Sequence, residues 1–391
     1  MKRIYILVIV MLAFNMCNAQ WQQTSLDTTY IMTLVMKGND IYAGTYFNGV
    51  YVSSNNGYTW VNKSSGLPNN AIWSFIINDS NILAASEGSG MFLSTNNGNN
   101  WNTINNGIPS NTMVWASTNN GNNIFIGTNS LGVFLTTNNG ANWIHRGLTM
   151  PDQENNYIQS LVFKDNKIYA GTGNGVYSST DNGLNWTYQN NGFPVNYVVY
   201  SFIVSGNNIF AGMNGSGVYI STDNGNSWFA SGLTSGYIYA LAKYDNIIFA
   251  GGSSGVFYST DNGSNWIMMN QGLLNTQVSA LLICGKDIYT GTFNGGIWKR
   301  SLLELSVLQE SSNSNNIYPN PATSNLTLNL QLQTSLQNTI VSIYDVQGKL
   351  LLLQTITEPQ TELNIASFSK GIYVVKVNND KNSMVSKFVK E

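Results

Sequence analysis

Cysteine occurs twice and histidine once in this 391-residue chain, and arginine stands only at positions 3, 146 and 300. A chain cleaved after Ala19 keeps Cys284 alone, so it has neither a disulfide framework nor a Cys/His metal site. Cys284 ends the apolar run Leu281-Leu282-Ile283-Cys284 and reads as a buried packing residue rather than a reactive thiol. His145 stands two residues after Trp143 in an expected outer strand, which leaves a Ser or Cys hydrolase without a base. Charged residues are only 9% of the chain, and net charge is −2. Without Lys2 and Arg3, 15 basic residues face 19 acidic ones. No clustered cationic face is available for nucleic acid or anionic lipid. Neither a cofactor nor a metal is expected, and no transmembrane span is expected in the mature protein.

What the chain has is 37 Gly, 12% aromatics and abundant Asn, Ser and Thr. These suit an all-β protein with many tight turns, and the aromatic and β-branched content is too high for a disordered one. Residues 1–19 read as a secretory signal: Lys2 and Arg3, then the apolar Ile4 to Phe14, then Ala19 at a small-residue cleavage site. That apolar run is too short to span a bilayer. A lipoprotein at Cys17 is the rival reading, but Phe14-Asn15-Met16 is a poor lipobox.

One phrase returns seven times, at Ile41 to Thr45, Ile82 to Ser86, Ile124 to Thr128, Ile168 to Thr172, Ile209 to Met213, Ile248 to Gly252 and Ile288 to Thr292. Between these units, Ser/Thr-x-Asn/Asp-x-Gly-x-x-Trp recurs six times, ending at Trp60, Trp101, Trp143, Trp186, Trp228 and Trp266. A period near forty residues is that of a propeller blade of four strands. In the second repeat, Ile72 to Ile76 is the inner strand, Ile82 to Ser86 the second and Gly90 to Ser94 the third, and Trp101 opens the outer strand. The seventh repeat has Leu302-Leu303-Glu304 where its turn and Trp should be, while Trp21 precedes Ile31 by ten residues, as Trp228 precedes Ile238. The N-terminal strand is therefore expected to complete the seventh blade and close the ring. The predicted domains are a propeller over 20–303, a linker over 304–316 and a C-terminal domain over 317–391.

Ser179-Thr180-Asp181-Asn182-Gly183-Leu184-Asn185-Trp186 resembles the Asp-box, or bacterial neuraminidase repeat; Asn55, Asn96 and Asn138 replace the Asp in the first three copies. The motif has a structural logic: the carboxylate or amide oxygen accepts backbone N–H groups, Gly183 supplies positive φ, and Trp186 buries a large surface. The resemblance implies a sialidase- or xyloglucanase-like propeller with this hairpin on the face opposite the ligand site. Sialidases grip their substrate with three arginines, and this chain has only Arg146 and Arg300 beyond the leader, so a sialidase is not expected.

After the polar stretch Ser311 to Asn316, Leu326 to Leu330 and Ile340 to Tyr344 alternate as strands, and a small Ig-like β-sandwich is expected. Tyr318-Pro319-Asn320-Pro321-Ala322, Tyr344-Asp345-Val346-Gln347-Gly348-Lys349, Lys370-Gly371-Ile372-Tyr373-Val374 and terminal Lys387-Phe388-Val389-Lys390 follow in an order that resembles the type IX secretion sorting domain of Bacteroidota. The resemblance implies export across the outer membrane through the type IX machinery, and a secreted or surface-attached product.

Aligning the repeats isolates one variable position in the inner strand, after an Ile or Val and before a residue that is usually small. It holds Met32, Trp73, Trp115, Gln159, Tyr200, Tyr239 and Ser279. Large aromatics near a channel mouth suit the CH-rich faces of sugars; the competing reading is that they plug the channel. Tyr46, Phe47, Phe193, Tyr197, Tyr237 and Phe293 fall in the adjoining loops. The ligand-binding candidates are Trp73, Trp115, Tyr200, Tyr239, Tyr46 and Phe47. Setting aside turn and Asp-box carboxylates leaves Asp27, Glu87, Asp152 and Glu154 as catalytic candidates, since glycoside hydrolysis needs two carboxylates.

The expected function is non-catalytic glycan binding through the top face of the propeller. The alternatives are a xyloglucanase-like glycoside hydrolase and an extracellular protein-interaction scaffold. The last is similar to the Asp-box propeller that assists photosystem assembly, whose arginine-rich patch this chain lacks.

Overall fold

A computed structural model describes residues 20–27, 29–68, 71–147, 157–194, 197–302, 317–330, 339–345, 349–378 and 383–391. The expected leader, the expected linker, Asp152 and Glu154 lie outside the described residues. The chain divides into two compact units, one ending at Ser301 and one beginning at Leu302.

In the first unit the repeats become seven four-stranded antiparallel sheets. Blade two is Ile72–Asn78, Asn81–Ser86, Gly90–Ser94 and Asn102–Thr103, in that spatial order. Each inner strand packs beside that of the next sheet, and Val278–Cys284 of the seventh lies beside Ile31–Lys37 of the first. This closed ring is a β-propeller. The seventh sheet takes its outer strand from Gln22–Gln23, with Gln22 opposite Lys299 and Gln23 opposite Trp298. Trp21 is 3% exposed there. Its indole Nε1 donates to the Met269 carbonyl, and its backbone N–H donates to Gln271 at 3.0 Å.

Second strands are covered on both faces by neighbouring blades, so they read as continuous apolar runs such as Ile41-Tyr42-Ala43. Gly44 ends that run because a Cβ there would stand 2.7 Å from both the Ile72 carbonyl oxygen of the next blade and the Thr33 methyl. Every inner strand turns into its second strand through two residues, as at Asp79-Ser80, and Asp79 adopts φ 52°.

The Trp motif forms the turn between third and outer strands. Ser179 Oγ donates to Asp181 Oδ1 at 2.7 Å, and that oxygen also accepts the Asn185 N–H at 2.9 Å. The Gly183 N–H donates to Ser179 Oγ at 2.9 Å. Asn182 shares the left-handed conformation with Gly183, at φ 57°. Trp186 Nε1 donates at 2.9 Å to the carbonyl of Arg146, one blade earlier, and Trp101 does the same to Lys63. In blade five the Trp228 backbone N–H makes the tie instead, donating to the Asn191 carbonyl at 2.8 Å.

The second unit is two sheets: Ile317–Tyr318, Asn325–Asn329 and Gln360–Asn364 in one, and Leu350–Thr355, Ile340–Asp345, Gly371–Asn378 and Ser383–Lys390 in the other. Leu326, Leu328 and Leu363 from the first share one buried core with Val341, Ile343, Val375 and Phe388 from the second.

Candidate ligand site at the propeller mouth

The antiparallel topology puts the starts of inner strands and the loops between second and third strands at one end of the ring. The two-residue turns and the Asp-box hairpins lie at the other. At the first end every inner strand carries a β-bulge. In blade one Ile31 pairs with Thr45 and Thr33 with Gly44, which leaves Met32 unpaired between them. Register breaks the same way across Trp73, Trp115, Gln159, Tyr200, Tyr239 and Ser279. A bulge re-aims the extra side chain, and all seven of these side chains line one cavity of about 610 Å³. Tyr30, Tyr46, Phe47 and Phe293 complete its wall. All six aromatic binding candidates from the sequence therefore meet at one place.

The rings form two arcs. On one side Tyr46 meets Trp73 at 6.1 Å between centroids, Trp73 meets Trp115 at 6.0 Å, and Trp115 meets Tyr157 at 5.7 Å. On the other Tyr200 meets Tyr239 at 5.1 Å, and Tyr239 meets Phe293 at 5.6 Å. Gln159 separates the arcs at blade four; Ser279 and Met32 separate them at blades seven and one. Phe47 is 58% exposed at the rim. Beneath the rings lies a smaller cavity of about 300 Å³, whose wall includes Ser74 and Ser117, with hydroxyls 2.6 Å apart.

The indole Nε1 atoms of Trp73 and Trp115 are covered and have no hydrogen-bond partner among the described residues. Burial pushes the Tyr200 phenol up to about 12, with the neighbouring phenols of Tyr239, Tyr157 and Tyr237 adding to the effect. Tyr239 is raised too, first by burial and then by Tyr237. Both hydroxyls are protonated donors at neutral pH.

Not every expected residue belongs here. Phe193 stacks on Trp228 at 4.8 Å, and it and Tyr197 pack against the buried cluster of blades four and five. Tyr237 stacks on Tyr239 behind the wall. Cys284 is half-buried rather than fully buried, with its thiol raised by burial first and by Asp287 second. Tyr30 and Tyr157 escaped the sequence reading, although each stands immediately before the apolar residue that flanks a variable position, as Tyr237 does.

The carboxylate candidates are placed differently. Asp27 is exposed, and its carbonyl accepts Gln23 Nε2 at 3.2 Å. Glu87 is half-buried just past Asn81–Ser86, with its N–H on the Ala71 carbonyl at 2.9 Å. Neither lines the cavity. Arg300 is buried and donates to the Met269 carbonyl at 3.3 Å, while Arg146 lies against the Asp-box turn at Gly183, so no arginine reaches the mouth. Among the described residues no group of three His, Cys, Asp or Glu is arranged to hold a metal ion. No helix among them is long and apolar enough to cross a membrane.

Comparison with known proteins bears on both units. Residues 316–391 match the secretion system C-terminal sorting domain. The funoran endo-beta-hydrolase of Wenyingzhuangia aestuarii is 36% identical over 74 residues, which are 19% of this chain and 10% of that enzyme. The chain therefore spans about a tenth of the length of that curated relative. Among solved structures, YCF48 from Cyanidioschyzon merolae superposes with a TM-score of 0.58 at 16% identity, over 72% of this chain and 99% of its own. The xyloglucanase of glycoside hydrolase family 74 from Xanthomonas campestris gives 0.58 at 15% identity, over 73% and 54%. PorZ, a surface component of the type IX secretion system of Porphyromonas gingivalis, gives 0.56 at 15% identity, over 92% and 59%. At such identities these likenesses speak for the fold. The chain is a seven-bladed β-propeller of the Asp-box type joined to a type IX secretion C-terminal sorting domain, and with that domain it is a secreted, extracellular or cell-surface protein.

Proposed function

We propose that the propeller is a glycan-binding module whose ligand rests on Trp73, Trp115, Tyr200 and Tyr239, with Tyr46 and Phe47 at the rim. The observation that carries this reading is the convergence of seven bulged positions on one largely apolar cavity of about 610 Å³. Cavities of that size lined by aromatics with a few polar groups are the usual form of small-ligand sites. The covered indole N–H groups of Trp73 and Trp115, like that of Trp228 in the core, have no partner among the described residues. An unpaired buried donor costs about 1–3 kcal/mol, and phenylalanine would plug the channel without that cost. The solved xyloglucanase with the same fold acts on a polysaccharide, which agrees with this class of ligand. A glycan-array and polysaccharide screen with the chain from Gln20 onward tests the reading. Specific binding that is lost in Trp73→Ala with Trp115→Ala supports it. Silence across a broad panel, from folded protein, moves the assignment to an extracellular protein partner.

A hydrolytic version needs two carboxylates on either side of the scissile bond. The cavity wall offers none among the described residues, so the pair would have to come from the sequence candidates, Asp27 and Asp152 first, with Glu87 and Glu154 beside them.

A further inference from the structure

The cationic side chains of the propeller that are described stand away from the cavity. Lys37 and Lys164 finish inner strands at the Asp-box end, where Lys37 Nζ donates to the Ser80 carbonyl at 2.6 Å and Lys164 lies 3.2 Å from Asp165. Lys63 donates to the Asn97 carbonyl of the next Asp-box turn, and Lys299 pairs with Asp287 at 2.9 Å. His145 does bond toward the mouth end, at 2.8 Å to the Leu131 carbonyl, but it stands outside the cavity wall. No Lys, Arg or His lines the cavity. The propeller residues outside the description (28, 69–70, 148–156 and 195–196) contain none either. Asp27 and Glu87, the described carboxylate candidates, stand outside the cavity wall.

Resting on the glycan-binding reading, we infer that the mouth selects an uncharged glycan, laid between the tryptophan arc and the tyrosine arc, and rejects sulfated or carboxylated ones. The physical reason is desolvation. An anionic substituent drawn into this apolar wall loses water and meets no cation. A neutral sugar pays no such charge penalty: its CH faces meet the two ring arcs, and its hydroxyls meet Gln159 and the protonated phenols of Tyr200 and Tyr239.

The test uses the chain from Gln20 onward in affinity gels containing matched polymers: hydroxyethyl against carboxymethyl cellulose, dextran against dextran sulfate, and agarose against carrageenan. The expected result is retardation by at least one neutral polymer, weaker by about tenfold or more for its anionic partner at equal ionic strength, a difference of about 1.4 kcal/mol. Gln159→Arg, which sets a cation between the arcs, is expected to narrow that gap by improving binding to the anionic member. An anionic polymer bound as tightly as its neutral partner overturns the charge selection while leaving glycan binding intact. No retardation by any polymer, from protein with a native melting transition, overturns the glycan reading itself.

Discussion

Trp73 and Trp115 sit on adjacent blades at equivalent bulged positions, and their rings meet 6.0 Å apart with planes tilted by 48°. Both are half-buried, and both keep a covered N–H without a partner. Trp228 of the core has an unpartnered indole N–H as well, so the choice between packing and binding falls to the first prediction. Trp73→Phe with Trp115→Phe is expected to hold or raise the melting temperature, because two unpaired donors are removed, each costing about 1–3 kcal/mol. The corresponding double alanine variant is expected to abolish glycan binding with only a small fall in melting temperature. Calorimetry beside the polysaccharide screen checks both. A large stability loss in the alanine variant would mean that these rings plug the channel.

The repeats, their phase and the aromatic candidates were all legible in the sequence, since each rests on local spacing. The bulge was not. Whether Met32 or Tyr239 is paired depends on the register adopted against the second strand, and nothing within the inner strand announces it. The variable position was visible only as constant flanks around a changing centre, and the bulge supplies the cause. Phe193 lies in an adjoining loop, and its turn toward the core was not legible because it depends on the stacked partner Trp228. The missing arginine cluster was readable at once, because an absence from the sequence needs no geometry.

Trp21 closes the ring. It is almost fully buried, and the strand that follows it supplies the outer strand of the seventh sheet among the described residues. Trp21→Ala is expected to cost about 3–5 kcal/mol, as for other large aromatics removed from a core. Urea unfolding monitored by fluorescence should show the midpoint falling accordingly. A change below about 1 kcal/mol would mean that the blade stays closed without its latch.

Asp181 gives the fold an acid limb. The Asn185 backbone N–H, the Asn185 amide and the Ser179 hydroxyl hold its carboxyl down from 3.8 to about 2. A depressed folded pKa stabilises above the unfolded value, and that contribution is lost as pH falls from about 4 through about 2. Asn55 makes the equivalent bonds in blade one, accepting Thr59 N–H at 2.9 Å and Ser53 Oγ at 3.0 Å without titrating. Asp181→Asn is therefore expected to leave the melting temperature at pH 7 nearly unchanged and to flatten its fall between pH 4 and pH 2. An unaltered acid limb would assign that slope to other carboxylates.

Hydrolysis and binding separate through the carboxylates. Asp27 is exposed and does not line the cavity. Asp152 and Glu154 precede Tyr157 in the sequence, and the Tyr157 ring contacts Trp115. If the mouth cleaves a bound glycan, Asp152→Asn or Asp27→Asn should lower reducing-end release by about a hundredfold or more, as the loss of a general acid or base does. Binding of the same polymer should persist. The binding-module reading expects the opposite pattern: no release from the unaltered chain, and unchanged affinity in both variants. Release that survives both substitutions would leave Glu87 and Glu154 as the remaining pair. Their separation would then matter, because carboxyls about 5 Å apart retain anomeric configuration and wider pairs invert it.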